Sequence, residues 1–176
     1  DHTASLTNII KTSIGADHVG KIKYWMTEWD AGGITTNYER WRAYVNVLFQ
    51  SQYILEMAKN GWEGSNPWSQ NEYYYNTSGY PNYYVFPKWY VSPLLSYYFG
   101  RDMVTASSSD SKVRSYASRD DANNLTIFMV NNYPSTDRTV HINISGFGAG
   151  TAGERWLIRP SGSTITGGVN IQDYND

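Results

Sequence analysis

A chain of 176 residues allows one or two small domains with a real core. Its formal net charge of −2 lacks the basic footprint of a nucleic-acid binder, and no apolar run reaches the roughly 18 residues that span a bilayer. There is no cysteine, and His2, His18 and His141 are widely spaced, so disulfides and thiolate-held metal are excluded and neither an imidazole metal site nor a cofactor is expected.

Residues 4–14 place Leu6, Ile9, Ile10 and Ile14 at helical spacing. Residues 21–30, bounded by Gly20 and Gly32-Gly33, form an aromatic run that reads as a buried strand of about seven residues. Residues 38–59 carry the widest apolar stripe, with Trp41, Tyr44, Val45, Leu48, Phe49, Ile54, Leu55 and Met57 on a helix closed by Gly61. Residues 61–70 read as a second short strand running into a Tyr-, Asn-, Gly- and Pro-rich loop over 71–87. Residues 88–99 form a further helix that ends at Gly100. This helix, strand, helix, strand, loop, helix order predicts a parallel α/β sheet or barrel over 1–100.

The pattern changes near residue 101. Strands are expected near 103–108, 112–118, 124–131, 138–145 and 154–158, with turns at Asp120-Asp121, at 131–134 and at Gly146–Gly153. In 138–145, Val140, Ile142 and Ile144 alternate with Thr139, His141 and Asn143, the signature of an antiparallel sheet with one wet face. An antiparallel β-sandwich over 101–176 is expected.

Aromatic residues make up 16% of the chain, with 7 Trp and 16 Tyr. Their flat apolar faces and polar edges suit the CH-rich faces of sugars, although aromatics also serve simply as core. Glu28 ends the first predicted strand, inside Trp25-Met26-Thr27-Glu28-Trp29-Asp30. Barrel active sites lie at that end of the strands, and a carboxylate there suits nucleophilic attack on an anomeric carbon. A strand-end ion pair is the structural alternative. Trp68 ends the second strand and is placed under a sugar ring or in rim packing, Asn66 is a partner for sugar hydroxyls, and Trp29 and Asp30 line the site. Glu63 is a weaker second carboxylate. No phosphate-binding glycine loop or nucleophilic serine elbow occurs, and Asn76, Asn124 and Asn143 head glycosylation sequons.

On KYWMTEWDAGG (23–33) the sequence resembles the seventh strand of glycoside hydrolase clan A, which ends in Thr-Glu followed by an aromatic. NGWEGSNPWSQ (60–70) is similar to the clan's eighth strand, FPKWYVSPLLSYYFGRDMV (86–104) to its last helix and exit, and NLTIFMVNNYPSTDRTVHINISGF (124–147) to the strands of an appended sandwich. The arabinofuranosidase, xylosidase and endoglucanase branches are the nearest in pattern. The resemblance implies a secreted retaining glycosidase: residues 1–100 as the C-terminal portion of the (β/α)8 barrel, 101–176 as an accessory β-sandwich, and Glu28 as nucleophile. In the clan the acid/base belongs to an Asn-Glu pair on the fourth strand. A whole barrel takes roughly 200–250 residues, and only about two of its strands are recognisable here. The chain is therefore expected to be part of a larger enzyme, to be inactive alone, and to have the missing N-terminal barrel half as its partner beside a carbohydrate substrate. The rival readings are a non-catalytic carbohydrate-binding module and a self-standing structural domain without ligand.

Overall fold

A computed structural model describes residues 2–29, 44–67, 74–76, 83–85, 87–148, 153–160 and 169–175. Helix α1 (His2–Ser13) stops at Gly15, whose φ of 109° takes it out of the helical region. It is fastened to the sheet through hydroxyls: Thr7 Oγ1 meets the Tyr24 hydroxyl at 3.0 Å, and Trp62 Nε1 donates to Thr3 Oγ1 at 3.0 Å. Strands β1 (Tyr24–Trp29) and β2 (Trp62–Pro67) run parallel, as the alternating order predicts, and helix α2 (Val45–Lys59) lies between them in the chain. Lys59 in the last turn of α2 complements the helix dipole, and Gly61, at φ 77°, turns the chain into β2.

Between the two parallel strands and α3 (Val91–Tyr98), the expected loop contains a short antiparallel pair, β3 (Tyr74–Asn76) and β4 (Tyr83–Val85). A 3-10 turn, Pro87–Tyr90, leads into α3, where Pro93 sits in the first turn and costs no ladder bond. Next come β5 (Asp102–Val104), β6 (Val113–Arg119) and β7 (Leu125–Asn131), an antiparallel sheet in that order. The β6–β7 turn is held by Asp120, which accepts from the Asn124 backbone N–H at 2.7 Å and from Asn124 Nδ2 at 2.8 Å. Those bonds, the side-chain one foremost, hold the Asp120 carboxyl below its usual range. The last elements, β8 (Glu154–Pro160) and β9 (Val169–Asn175), pair antiparallel. β9 was not expected, although Val169 and Ile171 alternate with Asn170 and Gln172.

The strand expected over 138–145 does not form. The chain leaving β7 is turned and locked: Asn131 Nδ2 donates to the Thr136 carbonyl at 2.9 Å, and the Tyr133 hydroxyl donates to Asp110 Oδ2 at 3.0 Å. The Arg138 guanidinium lies 3.8 Å from the Tyr133 ring centroid. Alternation makes a strand only where a neighbour supplies a ladder. Val140, Ile142 and Ile144 have none among the described residues and are 43%, 50% and 45% exposed. Neither a closed barrel nor a two-sheet sandwich is completed by the described residues; the architecture is mixed helix and strand in small sheets. Among them no helix is long and apolar enough to cross a membrane.

The core forms where α2 is packed on two sides. Toward β1, Trp29 meets Tyr53 at 4.9 Å and Phe49 at 6.2 Å between ring centroids. Toward the antiparallel sheet, Leu55 joins Tyr116 and Val130, flanked by Leu48, Leu95, Phe99 and Phe128. Polar bonds align the same junction. Gln52 and Asn132 exchange amide hydrogen bonds at 3.0 and 2.9 Å, and the Gly100 N–H donates to Ser118 Oγ at 2.7 Å. Gly100 must lack a side chain, because a Cβ there would lie 2.3 Å from the Arg119 carbonyl carbon.

The Tyr116 hydroxyl donates to Glu56 Oε1 at 2.8 Å across this junction. Burial, and then the bonded Glu56 carboxylate, push the Tyr116 phenol well above its ordinary value of 10.0. A phenol raised in the folded state binds its proton more tightly there than in the unfolded chain. Its contribution is therefore complete below pH ~10 and is lost as pH climbs beyond it. Urea midpoints across alkaline pH should fall for the wild type, and Tyr116→Phe should flatten that fall. At neutral pH the same substitution should cost about 1.5–3 kcal/mol, the worth of a hydrogen bond to a charged group.

Candidate active site

The parallel pair is not in simple register. Tyr24 pairs with Trp62, Trp25 with Gly64, Met26 with Ser65 and Trp29 with Pro67. Between the first two pairs β2 has an extra residue, Glu63; between the last two, Thr27 and Glu28 of β1 stand opposite Asn66 alone. Two residues against one is the geometry of a β-bulge, which re-aims side chains. Its effect is visible in burial. Thr27 and Glu28 are both exposed, while Trp29 is buried at 8% exposure.

The two faces of the sheet are thereby sorted. Tyr24, Met26, Trp29, Trp62, Ser65 and Pro67 share the face toward the helices; Trp25, Thr27, Glu28, Gly64 and Asn66 share the other. Glu28 and Asn66 therefore lie near the C-terminal ends of neighbouring parallel strands, both exposed. Trp25, 55% exposed, lies over Gly64 on that face: a Cβ at Gly64 would come 2.5 Å from its ring. No described residue holds the Glu28 carboxylate in an ion pair or hydrogen bond. Glu63, by contrast, is exposed and paired with Lys23 at 2.5 Å near the start of the strands.

No family model matches the chain, and no curated protein matches its sequence.

Of the residues singled out in the sequence, Glu28 and Asn66 lie near the ends of neighbouring parallel strands. The sheet sends Trp29 to the opposite side, where it packs under α2. Trp68 and Asp30 lie outside the described residues. Trp25 was not among the candidate site residues, and the sequence reading placed Trp29 there instead. The signal for Trp25 was present in Gly64, whose lack of a side chain leaves room for a ring.

A cavity of about 350 Å³ opens on the helix side, lined by Trp29, Ser65, Pro67, Leu55, Ser92 and Phe99 among others, and does not include Glu28. Trp29 Nε1 and Gln50 Oε1 are buried without a hydrogen-bond partner near it. A second cavity of about 90 Å³, also without Glu28, lies between Glu56, Lys59 and residues 106–116. Among the described residues no cluster of His, Cys, Asp or Glu could hold a metal ion. The open sheet face thus presents a carboxylate, an amide and an indole ring, which can respectively attack or charge-stabilise carbon, bind hydroxyls and stack on CH groups.

Proposed function

We propose that this chain is the nucleophile-bearing part of a secreted retaining glycoside hydrolase acting on oligo- or polysaccharides. The observation that carries the reading is the placement of Glu28, a carboxylate that no described residue pairs, at the C-terminal end of one of two parallel strands, level with Asn66 and on the same face as Trp25. The resemblance of residues 23–33 to a clan A nucleophile strand points the same way.

In this reading β1–α2 and β2–α3 are the last two units of a (β/α)8 barrel within 1–100, and the sheets of 101–176 belong to an accessory β-sandwich. The remaining barrel strands, the N-terminal half of the same enzyme, cover the open face. Parallel sheets are ordinarily covered on both faces, and a 55%-exposed Trp25 on a two-stranded parallel sheet is consistent with a missing layer. A Glu28 oxygen attacks the anomeric carbon as the glycosidic C–O bond breaks, and the leaving oxygen takes a proton from a second carboxylic acid about 5–5.5 Å away. Water, deprotonated by that second group, then displaces Glu28 and restores both carboxyls. Asn66 binds a sugar hydroxyl, Trp25 stacks on a ring, and Trp68 and Asp30 line the site beyond Pro67 and Trp29. No cofactor and no nucleic acid takes part.

The complete enzyme, treated with a 2-deoxy-2-fluoro glycoside bearing a good leaving group, should accumulate a covalent adduct. Peptide mass mapping should place it on Glu28. An adduct on another carboxylate rejects the assignment, and a fully active enzyme that never forms an adduct rejects the retaining mechanism.

A further inference from the structure

The start of β8 meets the end of α3 in a cluster that the Glu28 site does not use. Tyr98 and Trp156 bring their rings to 5.8 Å between centroids at an interplanar angle of 43°. Both polar edges are tied to one oxygen: Glu154 Oε1 accepts from Trp156 Nε1 at 2.7 Å and from the Tyr98 hydroxyl at 3.2 Å. Glu154 and Trp156 are two residues apart on the strand and so lie on one face. With the edges held by the carboxylate, the rings keep a defined tilt, and Tyr98 and Trp156 remain 39% and 37% exposed.

We infer that Tyr98, Trp156 and Glu154 form a surface platform for a neutral polysaccharide chain. A pyranose ring has a CH-rich face and a hydroxyl rim. The aromatic faces match the first, and Glu154, whose Oε2 takes no hydrogen bond from a described residue, accepts from the second. Two tilted rings one behind the other suit successive sugars of an extended chain, whose units rotate against one another. The same carboxylate argues against a nucleic-acid strand, the other common ligand of stacked aromatics, because it repels phosphate. A protein partner would need a broader continuous apolar patch than two rings bordered by the exposed Arg155 and Glu154. The inference does not rest on the role of Glu28.

The test is native electrophoresis of the 176-residue chain in gels carrying arabinoxylan, xyloglucan or hydroxyethylcellulose. The wild type should be retarded by at least one of these. Trp156→Ala and Tyr98→Ala should each weaken binding by about tenfold or more, and Leu6→Ala, on α1 and away from both sites, should bind as the wild type does. Should Trp156→Ala lose its circular dichroism, Glu154→Ala decides instead, because its exposed carboxylate can be removed without opening the core; severalfold weaker binding is expected. No retardation by any of the three polymers, or retardation unchanged in the folded platform variants, overturns the platform. Retardation lost in Glu28→Gln and kept in Trp156→Ala also overturns it and assigns binding to the open sheet face. Retention of binding with no label on Glu28 leaves the platform standing and removes the catalytic reading.

Discussion

Glu28→Ala in the complete enzyme should abolish turnover almost entirely, and added azide should restore it with inverted stereochemistry at the anomeric carbon. The first effect follows from covalent catalysis: without the nucleophile no glycosyl intermediate forms, and losing such a group costs several orders of magnitude in rate. The second follows from space. Alanine leaves a gap the size of a carboxylate where the substrate's anomeric carbon sits, and a small anion entering it attacks from the side that Glu28 would have used. One displacement instead of two inverts the centre. The product anomer, followed by proton NMR, reads this directly. Near-normal activity in Glu28→Ala would exclude Glu28 as nucleophile. The 176-residue chain alone should hydrolyse nothing at a useful rate. If it does, the acid/base lies within it, at a carboxylate other than Glu63, which pairs with Lys23 near the start of the strands and away from Glu28.

Leu55→Ala should be the most damaging of the packing substitutions, at about 2–5 kcal/mol. Leu55 is 1% exposed and packs with Tyr116 and Val130, so it ties α2 to both β6 and β7. It also borders the open cavity of about 350 Å³, so removing its isopropyl group widens a space that the surroundings have not closed. That places the expected cost in the upper part of the range, a large share of the ~5–15 kcal/mol by which domains are stable. Urea unfolding gives the magnitude, and hydrogen exchange should show protection falling in β6 and β7 as well as in α2. Leu6→Ala is the matched control. Leu6 is 37% exposed on α1, and its truncation should stay within about 0.5 kcal/mol.

The elements that local pattern specifies were legible. α1, α2, α3, β1, β2, β6, β7 and β8 all lie where periodicity, glycine stops and β-rich runs put them, because each signal resides in neighbouring residues. Pairing was not legible to the same degree. The alternation in 138–145 matches a strand, yet whether a strand forms depends on a partner edge, and there the Tyr133–Arg138 contact and the bond from Tyr133 to Asp110 hold the chain on another course. Conversely, β3, β4 and β9 are short or polar enough to read as loop and become strands only because each finds a partner.

The candidate site divides in the same way. Sequence alone located Glu28 at the end of a strand and Asn66 near the end of the next, since strand ends follow from composition and turn residues. It could not determine which side chains share a face. Period-two alternation groups Trp25 with Trp29 and sets Glu28 apart from both. The register shift at Thr27-Glu28, two residues opposite Asn66, reverses that grouping: Glu28 joins Trp25 and Asn66 on the open face, and Trp29 turns under α2 against Phe49 and Tyr53. A bulge is a property of two strands in contact, so one strand's sequence does not encode it, and only the tertiary structure decides which aromatic stands beside the carboxylate.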